Sequence, residues 1–337
     1  MSVLRPPADR TLDVVCIGNA IVDVLAQTDD AFLDRHGMAK GAMQLIDTEA
    51  ALAIYGEMPP AIEVSGGSAA NTAAGVTAFG GSAAFVGKVA DDELGTVFGH
   101  DIRAAGVQFG TSALVGPEAA RGTARCLILV TPDAQRTMNT YLGVAALVDG
   151  DDVDVDQLAT ARVVYCEGYL WDEPTAKDAL RKAMDAARAA GTPVAFTLSD
   201  SFCVDRHRDE FLDLVDHSVD ILFANEAEIC SLYQVEDFEE AAELVSFHCA
   251  IACLTRSEHG SVILADGERI EVPAVATEVV DTTGAGDLYA AGFLAGWARN
   301  RSLVTSGEMA SIAAGEVISH LGARPQADLV ALLEASR

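Results

Sequence analysis

Basic residues are scarce in this sequence. Its 337 residues include 22 Lys plus Arg against 51 Asp plus Glu, which gives a net charge of −29. Cations that neutralise phosphates supply most of the affinity for nucleic acids, and Lys/Arg clusters supply the attraction to anionic membranes. We therefore expect neither nucleic acid nor a membrane as a partner. A polyanionic ligand would have to be bound by backbone N–H groups, a metal or a few well-placed cations.

Long apolar runs and paired cysteines are also missing. No apolar stretch reaches about 18 residues without a charge or a turn signal, and residues 1–13 lack the apolar core of a signal peptide. The seven cysteines are scattered and include no C-x-x-C pair, which argues against a zinc or dithiol site. We therefore expect a cytoplasmic protein with reduced, mostly buried thiols.

The chain does contain a regular alternation of helical and strand patterns. A glycine-rich loop, a small-residue helix, a strand and a second helix follow one another from Ser65, and the alternation resumes at Val163. This order is typical of a parallel sheet covered by helices on both faces. Between Gln108 and Tyr141 two strand patterns follow each other without a helix. We therefore predict an α/β fold with a β-rich insertion.

The most informative segment is Asp281-Thr-Thr-Gly-Ala-Gly-Asp287, which leads into a small-residue helix. Glycines 284 and 286 allow N–H groups to converge at the helix start, where the helix dipole favours negative charge. The segment can therefore bind an anion without a lysine. Asp287 would repel that anion unless it accepts a proton from an attacking hydroxyl. The alternative is that Asp287 only stabilises the helix dipole.

Two other kinds of phosphate site are excluded by missing motifs. The sequence has no G-x-x-x-x-G-K-[ST] segment, so it is not a P-loop NTPase. A third glycine at dinucleotide spacing does not follow Gly284 and Gly286, and an early acidic partner for a ribose is missing. A nicotinamide dehydrogenase is therefore not expected.

The segment from Asp281 to Asp287 resembles the second signature of the ribokinase-like (PfkB) carbohydrate and nucleoside kinase family. Three further segments match that family in chain order: Gly18-Asn-Ala-Ile-Val-Asp23, Gly66-Gly67-Ser-Ala-Ala-Asn71 and Asn225-Glu-Ala-Glu228. The resemblance covers residues from about 13 to about 333. It implies a three-layer α/β/α core with a mostly parallel sheet, assigned to residues 1–18, 63–107 and 141–337. Residues 19–62 and 108–140 would form a small β-sheet lid over the acceptor.

The resemblance implies an enzyme that transfers the γ-phosphoryl group of ATP to a primary hydroxyl. Asp287 would deprotonate that hydroxyl, while the N–H groups of Gly284, Ala285 and Gly286 would neutralise charge in the transition state. Asp281 and neighbouring carbonyls could hold an activating K⁺, although an aspartate that opens a turn needs no cation.

The acceptor would lie between the first two matching segments. The resemblance implies that Asp23 holds two neighbouring hydroxyls, with Asn19 beside it, and that Gly66, Gly67 and Asn71 face the acceptor hydroxyls. Asn71 could instead cap its helix. Arg136 is a candidate contact of the γ-phosphate, and an exposed arginine on an edge strand is the alternative.

The nucleotide would lie beside the later segments. Asn225 and Glu228 are one helical turn apart and would organise Mg²⁺ and phosphate through water, although a helix cap and a surface acid would explain them equally well. Thr255 and Gly260 would approach the ribose and phosphates of ATP, or form a plain hairpin turn. Ala314 belongs to a small-residue helix face that, by the resemblance, lines the adenine slot.

Three features favour a nucleoside as acceptor, with the 5′-hydroxyl of adenosine first. Ser68 stands where ribokinase-type sequences usually have Lys, and both 18–23 and 315–324 resemble adenosine-kinase-like members of the family. Flat or flexible apolar groups suited to a purine are supplied by Met138, Tyr141, Tyr169 and Leu170. The two alanines before Asn71 depart from the usual adenosine kinase form.

Those alanines leave a fructokinase, a ribokinase or a keto-sugar kinase of the same family as the alternative. A sugar phosphate is not favoured, because no second cation can be assigned near Ser68. A non-enzymatic nucleoside or sugar sensor on the same fold would not need Asp287. Lid edges that remain exposed could pair in a homodimer.

Overall fold

The computed structural model describes residues 4–133 and 135–336. Residues 1–3, 134 and 337 of the predicted core and lid segments lie outside this description. Within it, the strands form two separate sheets. Residues of both sheets line the cleft that contains the candidate site.

The larger sheet has nine strands in the described residues, and most of its neighbours are parallel. The two pairs formed by the last three strands of the chain are antiparallel. In spatial order the strands are Glu268–Val272 (β14), Ser261–Ala265 (β13), Ile251–Thr255 (β12), Ile221–Asn225 (β11), Val194–Thr197 (β10), Ala161–Glu167 (β9), Leu12–Ile17 (β1), Ala83–Val86 (β5) and Gln108–Phe109 (β6).

Helices cover both faces of the larger sheet, and two more pack on the smaller sheet. They are Asp30–Arg35 (α1), Thr48–Glu57 (α2), Ser68–Ala78 (α3), Glu93–Ala104 (α4), Val155–Ala159 (α5), Pro174–Ala189 (α6), Ser201–His217 (α7), Glu226–Tyr233 (α8), Phe238–Ser246 (α9), Ala285–Trp297 (α10), Leu303–Val317 (α11) and Leu329–Ala335 (α12). One apolar core joins one face of the larger sheet to α3, α4, α10 and α11. A second core joins the other face of that sheet to α5–α9. Strands buried on both faces explain the continuous apolar runs. The predicted three-layer α/β/α fold is confirmed.

Many acidic residues serve as helix caps. The side chain of an aspartate accepts a backbone N–H bond at the start of seven of these helices: Asp29, Asp47, Asp92, Asp154, Asp200, Asp237 and Asp328. Such caps typically contribute about 1 kcal/mol each. Part of the acidic excess is therefore structural.

The smaller sheet contains Met43–Leu45 (β3), Arg136–Tyr141 (β8), Ala124–Val130 (β7), Ile21–Gln27 (β2) and Ile62–Gly66 (β4), in that spatial order. Residues alternate between its two faces. One face packs on buried residues of α1 and α2, including Phe32 and Ile54. The other face is directed into a cleft and carries Asp23, Cys126 and Met138.

The sheets divide the chain slightly differently from the predicted segments. β4 belongs to the smaller sheet, which therefore extends to Gly66 and not only to residue 62. Gln108–Phe109 pairs with the larger sheet, although the predicted insertion begins at residue 108. All seven cysteines are free, and six of them are buried. Within residues 4–133 and 135–336, no helix is both long and apolar enough to cross a bilayer.

Candidate active site

A cleft of about 2010 Å³ lies between the two sheets. The carboxyl ends of β9, β10, β11 and β12 open into it, as does the segment after β1. In doubly wound folds, ligands bind outside the carboxyl ends of the strands, where the strand order changes direction. Here the order changes at β1, which lies between β9 and β5.

Asp287 lies in the first turn of α10 and faces the start of α3. Its Oδ1 accepts a hydrogen bond from Ser68 Oγ at 2.6 Å, and its Oδ2 accepts one from Asn71 Nδ2 at 2.9 Å. Burial raises the pKa of Asp287, while Ser68, Asn71 and the nearby Arg324 cation act in the opposite direction. A carboxylate with a raised pKa, fixed by two donors at the wall of a cleft, is suited to accept a proton.

The turn before Asp287 is formed by Gly284, Ala285 and Gly286, and all three line the cleft. Gly284 is in the left-handed region at φ 79°, and a Cβ on it would come within 2.7 Å of Ala323 Cβ. A larger residue is therefore excluded there. The N–H of Ala285 donates to the Thr282 carbonyl at 3.2 Å, so this predicted anion donor is already bonded within the turn.

Asp23 lies on β2, on the cleft face of the smaller sheet, and depends on two glycines. A Cβ on Gly66 would come within 2.3 Å of Asp23 Oδ2, and one on Gly67 would come within 2.3 Å of the Asn19 carbonyl. Burial raises the pKa of Asp23 to about 7, although Arg324 and Arg136 lower it. Gly66 and Gly67 thus leave the space that Asp23 and the backbone of Asn19 occupy.

Asn71 is not the cap of its helix, because Gly67 is the N-cap of α3 and Asn71 lies one turn later. Its side chain is buried, and its Oδ1 has no hydrogen-bond partner in the described residues. A buried acceptor without a donor is costly unless a ligand supplies one. Asn71 therefore presents an oxygen suited to a ligand hydroxyl.

Glu167, at the end of β9, was missed by the sequence reasoning. It is fully buried; its Oε1 accepts from the backbone N and Nδ2 of Asn19, both at 2.7 Å, and its Oε2 accepts from Ala69 N at 2.8 Å. Burial raises its pKa to about 7. Glu167 ties the segment after β1 to the start of α3. An acidic residue directly after a buried strand was the available signal.

Arg136 and Asp281 form a buried ion pair, with side chains 9% and 3% exposed. The Asp281 carboxylate also accepts from Thr283 N, Thr283 Oγ1 and Gly322 N at 2.8–3.1 Å. The arginine is neither exposed nor on an edge strand, since β8 lies between β3 and β7. It lies on the same face of β8 as the cleft-lining residues Met138 and Thr140, and its Nη1 donates to Thr283 Oγ1 at 3.3 Å. Arg136 already neutralises the Asp281 carboxylate, and K⁺ at Asp281 and neighbouring carbonyls stays a prediction.

Asn225 and Glu228 form a capping box at the start of α8. Asn225 Oδ1 accepts from Glu228 N at 2.9 Å, and Glu228 Oε2 accepts from Asn225 N at 3.0 Å. The helix-cap interpretation of Asn225 is thus correct in geometry, but Glu228 is only 6% exposed and is not a surface acid. Burial raises the pKa of Glu228 to about 7.

The described residues contain no group of three His, Cys, Asp or Glu side chains suited to a metal. Mg²⁺ commonly keeps several waters and binds through one or two carboxylates plus substrate phosphates. Glu228 is one of several carboxylates that line the cleft, and its carboxylate fits such a site.

The remaining predicted nucleotide residues lie at the same end of the cleft. Thr255 is the register partner of Asn225 on the neighbouring strand. Gly260 has φ 81°, and a Cβ on it would come within 2.1 Å of the Val272 carbonyl. Ala314, on α11, also lines the cleft. All three residues line the cleft, and their contact with a nucleotide stays a prediction.

Two of the four residues predicted to face a purine lie in the cleft wall. Met138 and Tyr169 line the cleft. Tyr141 lies on the other face of β8, where its hydroxyl bonds the Arg121 carbonyl at 2.8 Å. Leu170 is 1% exposed in the core shared with α5–α9. The predictions for Tyr141 and Leu170 are wrong. Alternate residues of a strand face opposite sides, which turns Tyr141 away from the cleft, and Leu170 lies in the short helix Gly168–Asp172 with its side chain in the core.

Similar proteins carry the same architecture. A crystal structure of adenosine kinase from Sinorhizobium meliloti is 52% identical, with a TM-score of 0.89 over 98% of this chain and 100% of that one. A probable sugar kinase protein from Rhizobium etli is 49% identical, with a TM-score of 0.90 over 97% of this chain and 99% of that one. The adenosine kinase of Saccharomyces cerevisiae is 26% identical, covering 93% of this chain and 96% of its own length.

Three of the four matching segments, 66–71, 225–228 and 281–287, lie within the region that matches a family, and 18–23 precedes it. Residues 61–328 match the pfkB family carbohydrate kinases, and this span contains the two glycine loops, Asp287 and the capping box of Asn225 and Glu228. Because the match covers most of the chain, these segments are the family's own and the enzyme is a phosphotransferase that acts on an alcohol group. This chain belongs to the pfkB family of carbohydrate kinases.

Proposed function

We propose that this protein transfers the γ-phosphoryl group of ATP to the 5′-hydroxyl of a purine nucleoside, adenosine first. The observation that carries the proposal is the position of the Asp287 carboxylate, which is fixed by Ser68 and Asn71 between the two ends of the cleft. Residues suited to an acceptor diol lie on one side of it, and those suited to a nucleotide lie on the other. A sensor without catalytic activity would need no base at that point.

The charges of the cleft favour an uncharged acceptor. Its lining contains two arginines within the described residues, and each is paired with a carboxylate: Arg206 with Asp172 at 2.8 Å and Arg256 with Glu226 at 3.2 Å. A sugar phosphate would need a free cation near Asp23, and the lining supplies none among these residues.

The smaller sheet supplies an apolar surface beside Asp23. The cleft-lining apolar side chains of this region are Ile21, Met43, Leu45, Ile128, Met138 and Leu142. Specific pockets typically combine an apolar wall with a few polar groups. A purine base would bury this wall, whereas a free sugar would leave it in contact with water.

In the proposed reaction, Asp23 and Asn71 Oδ1 accept hydrogen bonds from the ribose hydroxyls and hold the 5′-oxygen near Asp287. Asp287 takes the proton as that oxygen bonds to the γ-phosphorus and the bond from the γ-phosphorus to the bridging oxygen breaks, which leaves ADP. The start of α10 favours the negative charge that spreads over the transferred group. Mg²⁺, when bound with the nucleotide, would neutralise phosphate charge, and Glu228 would hold it through water.

The base is tested by Asp287→Asn. We expect kcat to fall about 10²- to 10⁴-fold while ATP binding, measured by calorimetry, is retained. Glu93→Gln is the matched control, because Glu93 is an exposed acid in the first turn of α4 and can act only on a helix dipole. Near-normal turnover of Asp287→Asn would disprove the assignment.

The acceptor is tested with adenosine, deoxyadenosine, ribose and fructose in the presence of ATP and Mg²⁺. Adenosine should give the highest kcat/KM, and deoxyadenosine should be markedly poorer because it leaves Asp23 partly unpaired. Asp23→Ala should reduce that difference. A higher kcat/KM for a free sugar would favour the sugar kinase alternative, which the 49% identity to a probable sugar kinase keeps open.

The role of Glu228 is tested through magnesium. Glu228→Gln keeps the size of the side chain but removes its charge, so the Mg²⁺ concentration for half-maximal rate should rise while the acceptor KM stays nearly constant. The opposite pattern would assign Glu228 to the acceptor side. A cytoplasmic location and a homodimer remain predictions from the sequence.

A further inference from the structure

A short segment near the C-terminus, residues 322–324, contacts both glycine loops of the site. Gly322 N donates to Asp281 Oδ2 at 3.0 Å. Ala323 packs directly against Gly284, as the 2.7 Å approach of a Cβ built on that glycine shows. The loop that carries Asp287 is therefore held at two points by this segment.

Arg324 holds the other loop. Its Nε and Nη2 donate to the Ser65 carbonyl at 3.1 and 3.0 Å, and Nη2 also donates to Ser65 Oγ at 2.9 Å. Its Nη1 donates to the Ala70 carbonyl at 2.7 Å. Ser65 and Ala70 flank Gly66, Gly67 and Ser68. One guanidinium thus fixes both ends of the turn that makes room for Asp23 and places the Ser68 donor on Asp287.

The charge of Arg324 reaches the same carboxylates. Burial lowers the pKa of Arg324 to about 10, while Asp101, Asp23 and Asp287 raise it, so the group stays protonated at neutral pH. Asp101 in turn accepts from Ser65 N at 2.8 Å and from Ser65 Oγ at 2.6 Å. Neither the guanidinium nor Asp101 lines the cleft. Arg324 can therefore act on an acceptor only through other residues.

We propose that Arg324 is a positioning residue, which together with Gly322 and Ala323 joins the two glycine loops and places a positive charge near Asp23 and Asp287. The inference rests on the proposed function for its kinetic effect, but its electrostatic part does not. It gives the segment after α11 a role in catalysis although none of residues 322–324 touches the cleft.

The electrostatic part depends on the groups that surround the two carboxylates. Those near Asp23 are Arg324, Arg136, Asp287, Asp281 and Cys126. Those near Asp287 are Ser68, Asn71, Arg324, Asp23, Tyr165, Glu167, Tyr169 and Glu228. Within the described part of the chain, Arg324 is the cation that acts on both carboxyls. Loss of its charge should therefore raise the pKa of each carboxyl.

The test compares Arg324→Met with Arg324→Lys. Arg324→Met should lower the acceptor kcat/KM by about 100-fold and move the acid limb of its pH profile upward by about one unit. Arg324→Lys should lose activity but keep the limb near its original pH, because the charge is retained. Arg103→Met is the matched control, since Arg103 also bonds two carbonyls, those of Gly99 and Phe109, but lies outside the site.

A second readout does not need activity. The melting temperature of each variant, followed from pH 5 to pH 8, should fall more steeply with pH in Arg324→Met than in Arg324→Lys or the control. If Arg324→Met does not fold, Arg324→Gln replaces it. Equal pH dependence of melting and of activity in all variants would reduce Arg324 to a structural residue and overturn the inference. A wild-type enzyme that phosphorylates no acceptor would overturn the proposed function, while the melting experiment would still decide the electrostatic part.

Discussion

Gly66 is the position where a single methyl group should disturb the acceptor site most directly. In Gly66→Ala, the new Cβ would lie 2.3 Å from Asp23 Oδ2 and 2.5 Å from its Cγ, against 3.4–4 Å for ordinary contact. The Asp23 carboxylate must therefore move by about 1 Å. A displacement of that size can cost about 100-fold in rate, equivalent to about 2.7 kcal/mol in the activation free energy.

Steady-state kinetics with saturating ATP measures this effect. The acceptor kcat/KM of Gly66→Ala should fall about 100-fold, the KM for ATP should change little, and the preference for adenosine over deoxyadenosine should shrink. Gly56→Ala is the matched control, because Gly56 lies exposed in α2 with nothing within 4 Å of the built Cβ. That change should leave activity unaltered and stabilise the helix by about 1 kcal/mol.

Two outcomes would refute the reasoning. Normal acceptor kinetics in a folded Gly66→Ala protein would show that the position of Asp23 does not matter. Parallel losses in the KM for ATP and for the acceptor would show a general distortion of the cleft. The melting temperature of each variant, measured beside the kinetics, separates these cases from simple unfolding.

Three further perturbations follow from the contacts. Glu167→Gln places an amide donor against buried N–H groups and should lower the free energy of unfolding by about 1–3 kcal/mol. Burial raises the pKa of Glu167 to about 7, so the difference in unfolding free energy between wild type and variant should narrow from pH 5 to pH 8 in urea titrations. A difference that stays constant with pH would contradict this. Gly284→Ala clashes with Ala323 and should lower kcat about 100-fold; unchanged turnover would exclude a role for this turn. Met138→Ala should raise the acceptor KM, whereas Tyr141→Phe should not, and the reverse result would invert the face assigned to β8.

The sequence predicted the cleft because its signals lie where strands end. The segments after β1 and β11, and the glycine loop before α10, each follow or precede an apolar run with a recognisable turn composition. Parallel strands bring their carboxyl ends to one edge of the sheet, so segments far apart in the chain had to meet there. Asp287 and Glu228 could therefore be assigned to one cleft without coordinates.

The partners of those residues could not be predicted in the same way. Ser68 donates to Asp287 across 219 positions of sequence, and Arg324 reaches Ser65 across 259. A local sequence pattern does not predict contacts between residues so far apart in the chain, because they depend on how the intervening elements pack. Glu167 was overlooked for a similar reason, since its role appears only when Asn19 lies beside it.

The face of a strand to which each side chain points was a second feature that the sequence reasoning did not predict correctly. Tyr141 and Met138 belong to the same strand, and an odd separation of three residues sends them to opposite faces. β14, Glu268–Val272, was also missed, because three of its five residues are charged. Its register against β13 follows from the turn at Asp266 and Gly267, both of which have positive φ.

The buried carboxyls of the site link stability and activity in opposite directions. Burial raises the pKa of Asp23, Glu167 and Glu228 to about 7, well above their ordinary values. Between those ordinary values and pH 7 the folded state binds more protons than the unfolded state, so stability falls as pH rises through this window. Asp23 must lose its proton to accept bonds from an acceptor diol, so activity should rise through the same window. Ionisation of these carboxyls therefore lowers the stability of the fold in the pH range where the ionised site is active. The nearby arginines and backbone donors reduce that loss of stability.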